Sequence, residues 1–150
     1  MAAVRELPFD LPHPALPRAD WGDRFGVEGV TGPLTARQAL ERMTARAPDW
    51  IGRLMALRNR LGRMAGLKTA PISGFPVVAE QGDEIIVGFD DRHLDFRVVI
   101  RVEPSPGGAD QSVSIATLVD RHNLSGRAYI AVITPFHRLI VTRMLGALSS

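Results

Sequence analysis

The stretch His93-Leu-Asp-Phe-Arg-Val-Val-Ile-Arg-Val-Glu103 decides the fold of this chain. Apolar residues alternate along it with polar or charged ones, and Val99 is the single apolar side chain on the polar parity. A period of two predicts a β-strand with one face in the core and the other in water. That asymmetry is typical of an antiparallel sheet that is covered by helices on one side.

Three further segments predict neighbours for this strand. Phe75 to Glu80 and Glu84 to Asp90 are separated by a Gln-Gly-Asp turn, which indicates a hairpin. Gln111 to Arg121 predicts the strand that follows, after a loop rich in proline and glycine. The second half of the chain is therefore expected to form a meander of at least four strands.

A fifth strand is predicted much earlier, from Asp20 to Val27. Gly29, Gly32 and Pro33 end it. One parity of this strand carries Trp21, Asp23, Phe25 and Val27, and the other carries Asp20, Gly22, Arg24 and Gly26.

Two helices are predicted between this strand and the meander. Thr35-Ala-Arg-Gln38 is a capping box that starts the first helix. Pro48 suits the first turn of the second helix, and Gly66 suits its C-terminal cap. The apolar side chains of the second helix share one broad face, which predicts a well-buried helix. They are Trp50, Ile51, Leu54, Met55, Leu57, Leu61, Met64 and Ala65.

The last helix is predicted to run from Ser125-Gly126 to about Leu148. Pro135 removes the backbone hydrogen bond to Ala131, which predicts a kink. His137 and Arg143 fall within an apolar arc that is wider than a surface helix needs. The apolar members of that arc are Tyr129, Val132, Ile133, Phe136, Leu139, Ile140, Met144 and Leu148.

The composition is that of one globular domain. A length of 150 residues with 45% hydrophobic and 23% charged residues suffices for a core. Four prolines predict that residues 1–18 form an extended arm, and residues 19–150 are expected to form a single domain. The absence of cysteine excludes disulfides and thiol chemistry. Without an apolar run suited to a signal peptide or a membrane span, we expect a cytoplasmic protein.

The charge pattern and the motifs argue against several classes of function. The formal net charge is only +2, and no basic block is interleaved with aromatic residues, so nucleic-acid binding is not expected. Neither HxH nor HxxxH spacing occurs, and no phosphate-binding or dinucleotide loop is present. We therefore expect neither a metal nor a cofactor.

The order of elements resembles a bacterial family of unknown function, whose domains are sometimes fused behind short-chain-dehydrogenase-like NAD(P)-binding domains. The motifs that carry the resemblance are Asp20-Trp21, Leu94-Asp-Phe-Arg97 and Pro135-Phe-His-Arg138, the last within Ala128–Leu145. That family is similar to the START-like, or Bet v 1-like, superfamily, which includes polyketide cyclases. The resemblance covers roughly residues 19–148.

The resemblance implies an α+β helix-grip fold. In that fold an antiparallel sheet wraps around a long C-terminal helix and encloses a cavity, with two helices inserted after the first strand. Members bind hydrophobic ligands, and a minority catalyse reactions. This chain departs from the pattern with five predicted strands, where six or seven are usual. It also lacks the dehydrogenase half, so no dinucleotide role and no catalytic residue can be carried over.

Two polar residues stand within apolar helix arcs. The stem of Arg58 either lies along the core with its head in water, or its guanidinium anchors a carboxylate or phosphate in the cavity. His137 is either a satisfied residue of the core or rim, or a ligand contact. If the helix-grip fold applies, Phe89, Phe96, Tyr129 and Phe136 are candidates to line the pocket as well as the core.

The polar face of the central strand has a simpler interpretation. His93, Asp95 and Arg97 lie on one side by alternation, but that side points away from the core. A solvated charged face explains them better than an acid–base site.

The protein is expected to be a monomer or a homodimer. Three functional hypotheses follow. The first is a binding module for a hydrophobic or amphipathic small molecule, an anionic one included, between the sheet and the C-terminal helix. The second is an enzyme of the cyclase, dehydratase or hydrolase type that uses the same cavity. The third is a protein–protein interaction domain without a ligand.

Overall fold

The structure is a computed structural model that describes residues 3–64, 76–90, 93–104 and 110–149, apart from the side chains of residues 55, 58, 59, 61–64 and 149. The strands are β1 (Arg5–Glu6), β2 (Trp21–Val30), β3 (Val77–Glu80), β4 (Glu84–Asp90), β5 (Leu94–Pro104) and β6 (Gln111–Arg121). The helices are α1 (Ala36–Arg46), α2 (Asp49–Met64) and α3 (Leu124–Gly146), and a 3-10 turn follows at Ala147–Ser149.

The strands form one antiparallel sheet in the order β1-β2-β6-β5-β4-β3. An α+β chain with an antiparallel sheet and a long C-terminal helix is thus confirmed. The described residues contain one strand more than predicted, because β1 has only two residues and no alternation. Gly66 and Phe75, which were predicted to cap a helix and to begin a strand, lie outside the described residues.

The main core lies between α1, α3 and the face of the sheet that we call the inner face. Ile85, Ile100 and Ile115 come from three adjacent strands, and each is at most 1% exposed. They share one cluster with Met43 of α1 and Leu145 of α3. The capping box predicted at Thr35 is present, with reciprocal hydrogen bonds between Thr35 and Gln38.

The two longer helices are less buried than their apolar arcs predicted. On α3, Val132, Phe136 and Leu139 are 64%, 48% and 40% exposed, and Arg143 is also exposed. A helix that rests on one sheet covers only one side of itself, so an arc wider than the contact must face outward. On α2, Ile51 is buried, but Trp50 and Leu57 are exposed. α3 continues through Pro135 without interruption.

We call the opposite face of the sheet the outer face. The alternation predicted that this face would be exposed to solvent, but part of it is buried. Leu16 of the proline-rich arm and Ala19, which directly follows the arm, pack there against Val99, Ala116 and Leu118, all at most 9% exposed. Val99, the apparent exception in the alternating pattern, is therefore a core residue of this second layer. Among the described residues no helix combines the length and apolar character needed to cross a bilayer.

Glycine on the outer parity of β2 lets the arm lie against the sheet. A Cβ at Gly22 would clash with a ring carbon of Phe9 and would stand 3.0 Å from the carbonyl oxygen of Thr117. A Cβ at Gly26 would similarly meet Leu7. The backbone hydrogen bond from Leu7 N to Arg24 O, at 2.8 Å, continues the strand pairing in this direction.

We expect Gly22→Ala to destabilise the protein by about 1–3 kcal/mol, because the methyl group must displace the arm or strain β2. Equilibrium urea unfolding measures the change. Gly52→Ala is the matched control, since nothing lies within 4 Å of its Cβ and alanine favours the helix. Equal stability of Gly22→Ala and the parent would contradict the close packing of Phe9.

Asp20 joins the arm to the end of β6 and the start of α3. Its Oδ1 accepts hydrogen bonds from Arg121 N at 3.1 Å and Arg121 Nε at 3.2 Å, and Arg127 Nη2 lies 3.6 Å from Oδ2. Burial raises the pKa of Asp20, but the hydrogen bonds and charges of these two arginines outweigh it and leave the pKa lowered.

A lowered pKa means that the ionised Asp20 stabilises the folded state above the carboxyl's unfolded pKa, and that this is lost as pH falls through the folded value. Asp20→Asn is expected to lower stability by at most about 1 kcal/mol at neutral pH, since the pair is partly solvated. The difference from the parent should vanish at strongly acidic pH. Urea unfolding at both pH values tests this, with Asp83→Asn in the exposed hairpin as control.

Candidate functional site

A buried carboxylate lies on the inner face of β2. Asp23 shares the parity of Trp21, Phe25 and Val27, so strand alternation points its side chain toward α3. Only 8% of the residue is exposed. An ionised carboxylate at this depth requires a hydrogen-bonding partner.

His137 of α3 is that partner. Its Nε2 lies 3.1 Å from Oδ2 and 3.2 Å from Oδ1 of Asp23. Because the carboxylate accepts, the proton of this bond belongs to Nε2. Nδ1 makes no hydrogen bond with any described residue, and Trp21 packs edge-on against the ring, with centroids 5.7 Å apart. The structure thus places His137, a predicted candidate, against the sheet as half of an Asp–His pair.

The next residue of α3 fixes the helix beside this pair. The Arg138 guanidinium donates to Glu6 Oε1 at 3.1 Å, and its carbon lies 5.1 Å from the centroid of the Phe25 ring. The hydrogen bond and charge of Glu6 raise the pKa of Arg138, so the arginine stays charged. These contacts tie α3 to β1 and β2, which sets the position from which His137 reaches Asp23.

Thr117 supplies a third polar group, on the central strand β6. It is the antiparallel register partner of both Asp23 on β2 and Val98 on β5. The residue is 8% exposed, and its buried Oγ1 has no hydrogen-bond partner in the described part of the chain. We call Asp23, Thr117 and His137 the polar triad.

Aromatic side chains continue the inner face beyond the polar triad. Phe89 and Phe96 are cross-strand partners, and their rings meet edge-to-face at 4.5 Å and 79°. Phe96, Tyr129 and Trp21 pack around the same small cluster of Leu94, Val119 and Ile130. All four aromatics are partly buried. We call Trp21, Phe89, Phe96 and Tyr129 the aromatic wall.

The structure brings together four of the six residues predicted from the sequence. Phe89, Phe96 and Tyr129 belong to the aromatic wall, and His137 to the polar triad. Phe136 is 48% exposed, on the side of α3 that does not contact the sheet core. The side chain of Arg58 lies outside the described residues.

Sequence reasoning missed Asp23 and Thr117, although each left a signal. Asp23 interrupts the apolar parity of β2, and Thr117 stands between Ile115 and Val119 on that of β6. One polar residue on an apolar parity is common, and nothing in the sequence shows that the two strands are paired in register. The pairing becomes visible only when β2, near the N-terminus, is placed beside β6.

The polar triad has the parts for two kinds of chemistry. A carboxylate that accepts from one imidazole nitrogen fixes the ring's tautomer and orientation. It also stabilises the imidazolium, so the other nitrogen can act as a general base. Without a reacting substrate, Nδ1 and the Thr117 hydroxyl are hydrogen-bonding groups at the end of an aromatic surface.

A second group of titratable residues lies on the outer face. His122 Nε2 lies 3.2 Å from Asp95 Oδ2 and 3.6 Å from Asp120 Oδ2, and the three ligand atoms fall within 4.8 Å of one another. The two carboxylates are register partners on β5 and β6. Both carboxylates are partly buried and share His122 as a partner, and nothing further at this cluster points to an ion, so we assign no metal to it. The prediction of a solvated face for His93, Asp95 and Arg97 is therefore wrong in degree, because all three are partly buried and the Arg97 side chain is only 14% exposed.

The arm also leaves a groove of about 300 Å³ on the outer face. Ala116 and Ser114 of β6 form part of its floor, and Phe9 and His13 of the arm border it. The remaining lining residues are Pro8, Asp10, Arg24, Glu84, Val99, Arg101 and Glu103.

Comparisons with known proteins give a family but no function. No curated protein and no solved structure matches the chain. A family model described as "Protein of unknown function (DUF2867)" matches residues 15–144, from the arm to the last turns of α3. The chain therefore belongs to the DUF2867 family.

Proposed function

We propose that this protein binds an amphipathic small molecule between the inner face of the sheet and α3, in a helix-grip arrangement. The ligand's polar group lies at the polar triad, and its apolar body lies against the aromatic wall. The observation that carries the proposal is the buried Thr117 hydroxyl, which lacks a partner and stands opposite an Asp–His pair.

Threonine at position 117 is less favourable for the folded apo protein than valine would be. A buried hydroxyl without a hydrogen bond costs about 1–3 kcal/mol. Valine has nearly the same shape and good β propensity, so packing alone favours it at this position. The hydroxyl is useful if a ligand completes its hydrogen bond, which is how polar groups give specificity in apolar pockets.

The same geometry favours a ligand with a neutral hydroxyl or phenol. With its proton on Nε2, His137 presents Nδ1 as an acceptor, and the Thr117 hydroxyl both donates and accepts. A ligand O–H can donate to Nδ1 while its oxygen accepts from Thr117. A carboxylate would instead bring a second negative charge beside Asp23. An anionic ligand therefore requires a further cation, and Arg58 was the sequence candidate for that role.

Thr117→Val is expected to separate stability from binding. The apo protein should gain about 1 kcal/mol of stability, because an unsatisfied hydroxyl is removed. Affinity for the ligand should fall by about fivefold or more. Native mass spectrometry of the protein isolated from its host identifies bound molecules, and calorimetric titration with 4-alkylphenols and fatty acids measures the affinities.

Thr44→Val is the matched control for that experiment. The Thr44 hydroxyl already donates to Leu40 O at 2.9 Å, far from the polar triad, so its removal should leave ligand affinity unchanged. The proposal fails if Thr117→Val destabilises the apo protein, or if it binds every ligand as tightly as the parent does. Tighter binding of fatty acids than of alkylphenols would shift the polar contact from His137 to a cation.

The Asp23–His137 pair supports a second candidate function, that of a cyclase, dehydratase or hydrolase. In this role His137 Nδ1 removes a proton from the bound molecule, and Asp23 stabilises the resulting imidazolium. The reaction would take place at the same polar triad, so a ligand identified by mass spectrometry is also the first substrate to test.

His137→Gln distinguishes the two functions. Glutamine keeps a hydrogen-bonding group but cannot act as a base near neutral pH. If the bound molecule is a substrate, turnover should fall by about 10²–10⁴-fold while affinity changes little. Asp23→Asn should give the same pattern with a smaller loss. Turnover that is unaffected by both substitutions would exclude the Asp–His pair as the catalytic base.

The exposed apolar stripe on α3 supports the third candidate, an interaction domain. Val132, Phe136 and Leu139 are spaced along one helix face. Light scattering decides between a monomer and a homodimer built on this stripe. If the protein is a dimer that Phe136→Glu dissociates, the interaction-domain candidate is supported. If the parent protein is a monomer even at high concentration, this candidate is contradicted.

A further inference from the structure

The outer groove contains charged groups that differ sharply in how well they are paired. Arg101 donates from Nε to Glu103 at 2.6 Å and from Nη1 to Glu84 at 3.1 Å. Both hydrogen bonds raise the pKa of Arg101, so this cluster is charged and internally satisfied. All three residues line the groove.

Arg24 has no such partner. Its side chain is partly buried, and its one hydrogen bond runs from Nη2 to the neutral Oγ of Ser114 at 3.3 Å. Within the described residues no carboxylate lies within 4 Å of its guanidinium. Four of its five N–H donors thus stay available at the groove floor.

An unpaired negative charge borders the same groove. Asp10 of the arm is exposed and forms no ion pair or hydrogen bond with the described part of the chain. Arg24 and Asp10 therefore line one groove with opposite charges that do not meet. Phe9, Val99 and Ala116 supply apolar surface in the same groove.

We infer that this groove binds a zwitterionic small molecule with an apolar side chain, of which an apolar α-amino acid is the simplest example. Its carboxylate pairs with the guanidinium of Arg24, and its ammonium with the carboxylate of Asp10. Its side chain lies against Phe9 and Ala116. This second site is on the opposite face of the sheet from the polar triad.

The charges of the lining select this class over simple ions. Three carboxylates and two arginines line the groove, so a molecule with only negative charge is repelled overall. A molecule with only positive charge leaves Arg24 unpaired. A zwitterion adds no net charge and pairs both free groups. The volume of about 300 Å³ is at the small end for ligand pockets, which suits a compact molecule rather than a peptide.

The test compares three molecules of similar shape on the full chain. L-phenylalanine carries both charges, 3-phenylpropanoate lacks the ammonium, and 2-phenylethylamine lacks the carboxylate. We expect L-phenylalanine to bind about tenfold or more tightly than either, since each loses one charged contact. NMR titration measures the affinities and shows whether the shifts fall on Ala116 and Phe9.

Single substitutions show which charged group of the ligand pairs with Arg24 and which with Asp10. Arg24→Met should weaken L-phenylalanine about tenfold and leave 2-phenylethylamine unchanged. Asp10→Asn should weaken L-phenylalanine and leave 3-phenylpropanoate unchanged. Arg53→Met, on the exposed part of α2, is the matched control and should have no effect. His137→Gln should also have no effect, which separates this site from the polar triad.

The inference is overturned if L-phenylalanine does not bind at millimolar concentration, or if the three molecules bind equally. It is also overturned if Arg24→Met and Asp10→Asn leave the preference for the zwitterion intact. If Arg24→Met does not fold, the order of affinities on the parent and the effect of Asp10→Asn still decide.

Discussion

The fold depends on the burial of β6 on both of its faces. This strand pairs with β2 on one side and β5 on the other, and its residues from Val113 to Val119 are all buried. A strand buried on both faces needs a layer of protein on each side of the sheet. The helices provide the inner layer, and the proline-rich arm provides the outer one. The arm is therefore a structural part of the domain.

The arm is suited to this task by residues that disfavour a helix. Its prolines are poorly suited to a helix, and glycines on the outer parity of β2 leave room for Phe9 and Leu7. A helix needs about 10 Å above the sheet, whereas a non-helical chain can lie closer to it. The cover is consequently thin and incomplete, and the outer groove remains where small side chains of β6 meet the arm.

The elements with strong periodicity were predictable from sequence, and those defined by distant contacts were not. The alternation of His93–Glu103 and the capping box at Thr35 depend on local chemistry, so they appear as expected. The two-residue strand β1 exists only because β2 is there to pair with it. Val99 breaks the alternation of β5 because it packs under Leu16 of the arm, a contact that the sequence of β5 alone does not show. Apolar arcs on the helices gave the correct elements but overestimated their burial.

The residues of the candidate site also divide into those that local sequence reveals and those that depend on distant contacts. His137 could be selected because it breaks an apolar helix face, and the aromatic residues could be selected by type. Asp23 and Thr117 each break an apolar strand parity, but their meaning comes from the register of β2 with β6 across 94 residues of sequence. A resemblance in element order cannot supply that register.

Strand β2 connects the two proposed sites through one peptide bond. Asp23 points to the inner face and Arg24 to the outer face, because successive side chains of a strand alternate. The inner carboxylate is held by a histidine from α3, and the outer guanidinium is held only by a serine hydroxyl. Any shift of β2 along β6 by one residue would exchange these environments, placing a guanidinium beside His137 and a carboxylate in a groove already lined by three. The register is therefore fixed by polar groups as well as by the core. The same residues that give each face its chemistry also specify how the sheet is assembled.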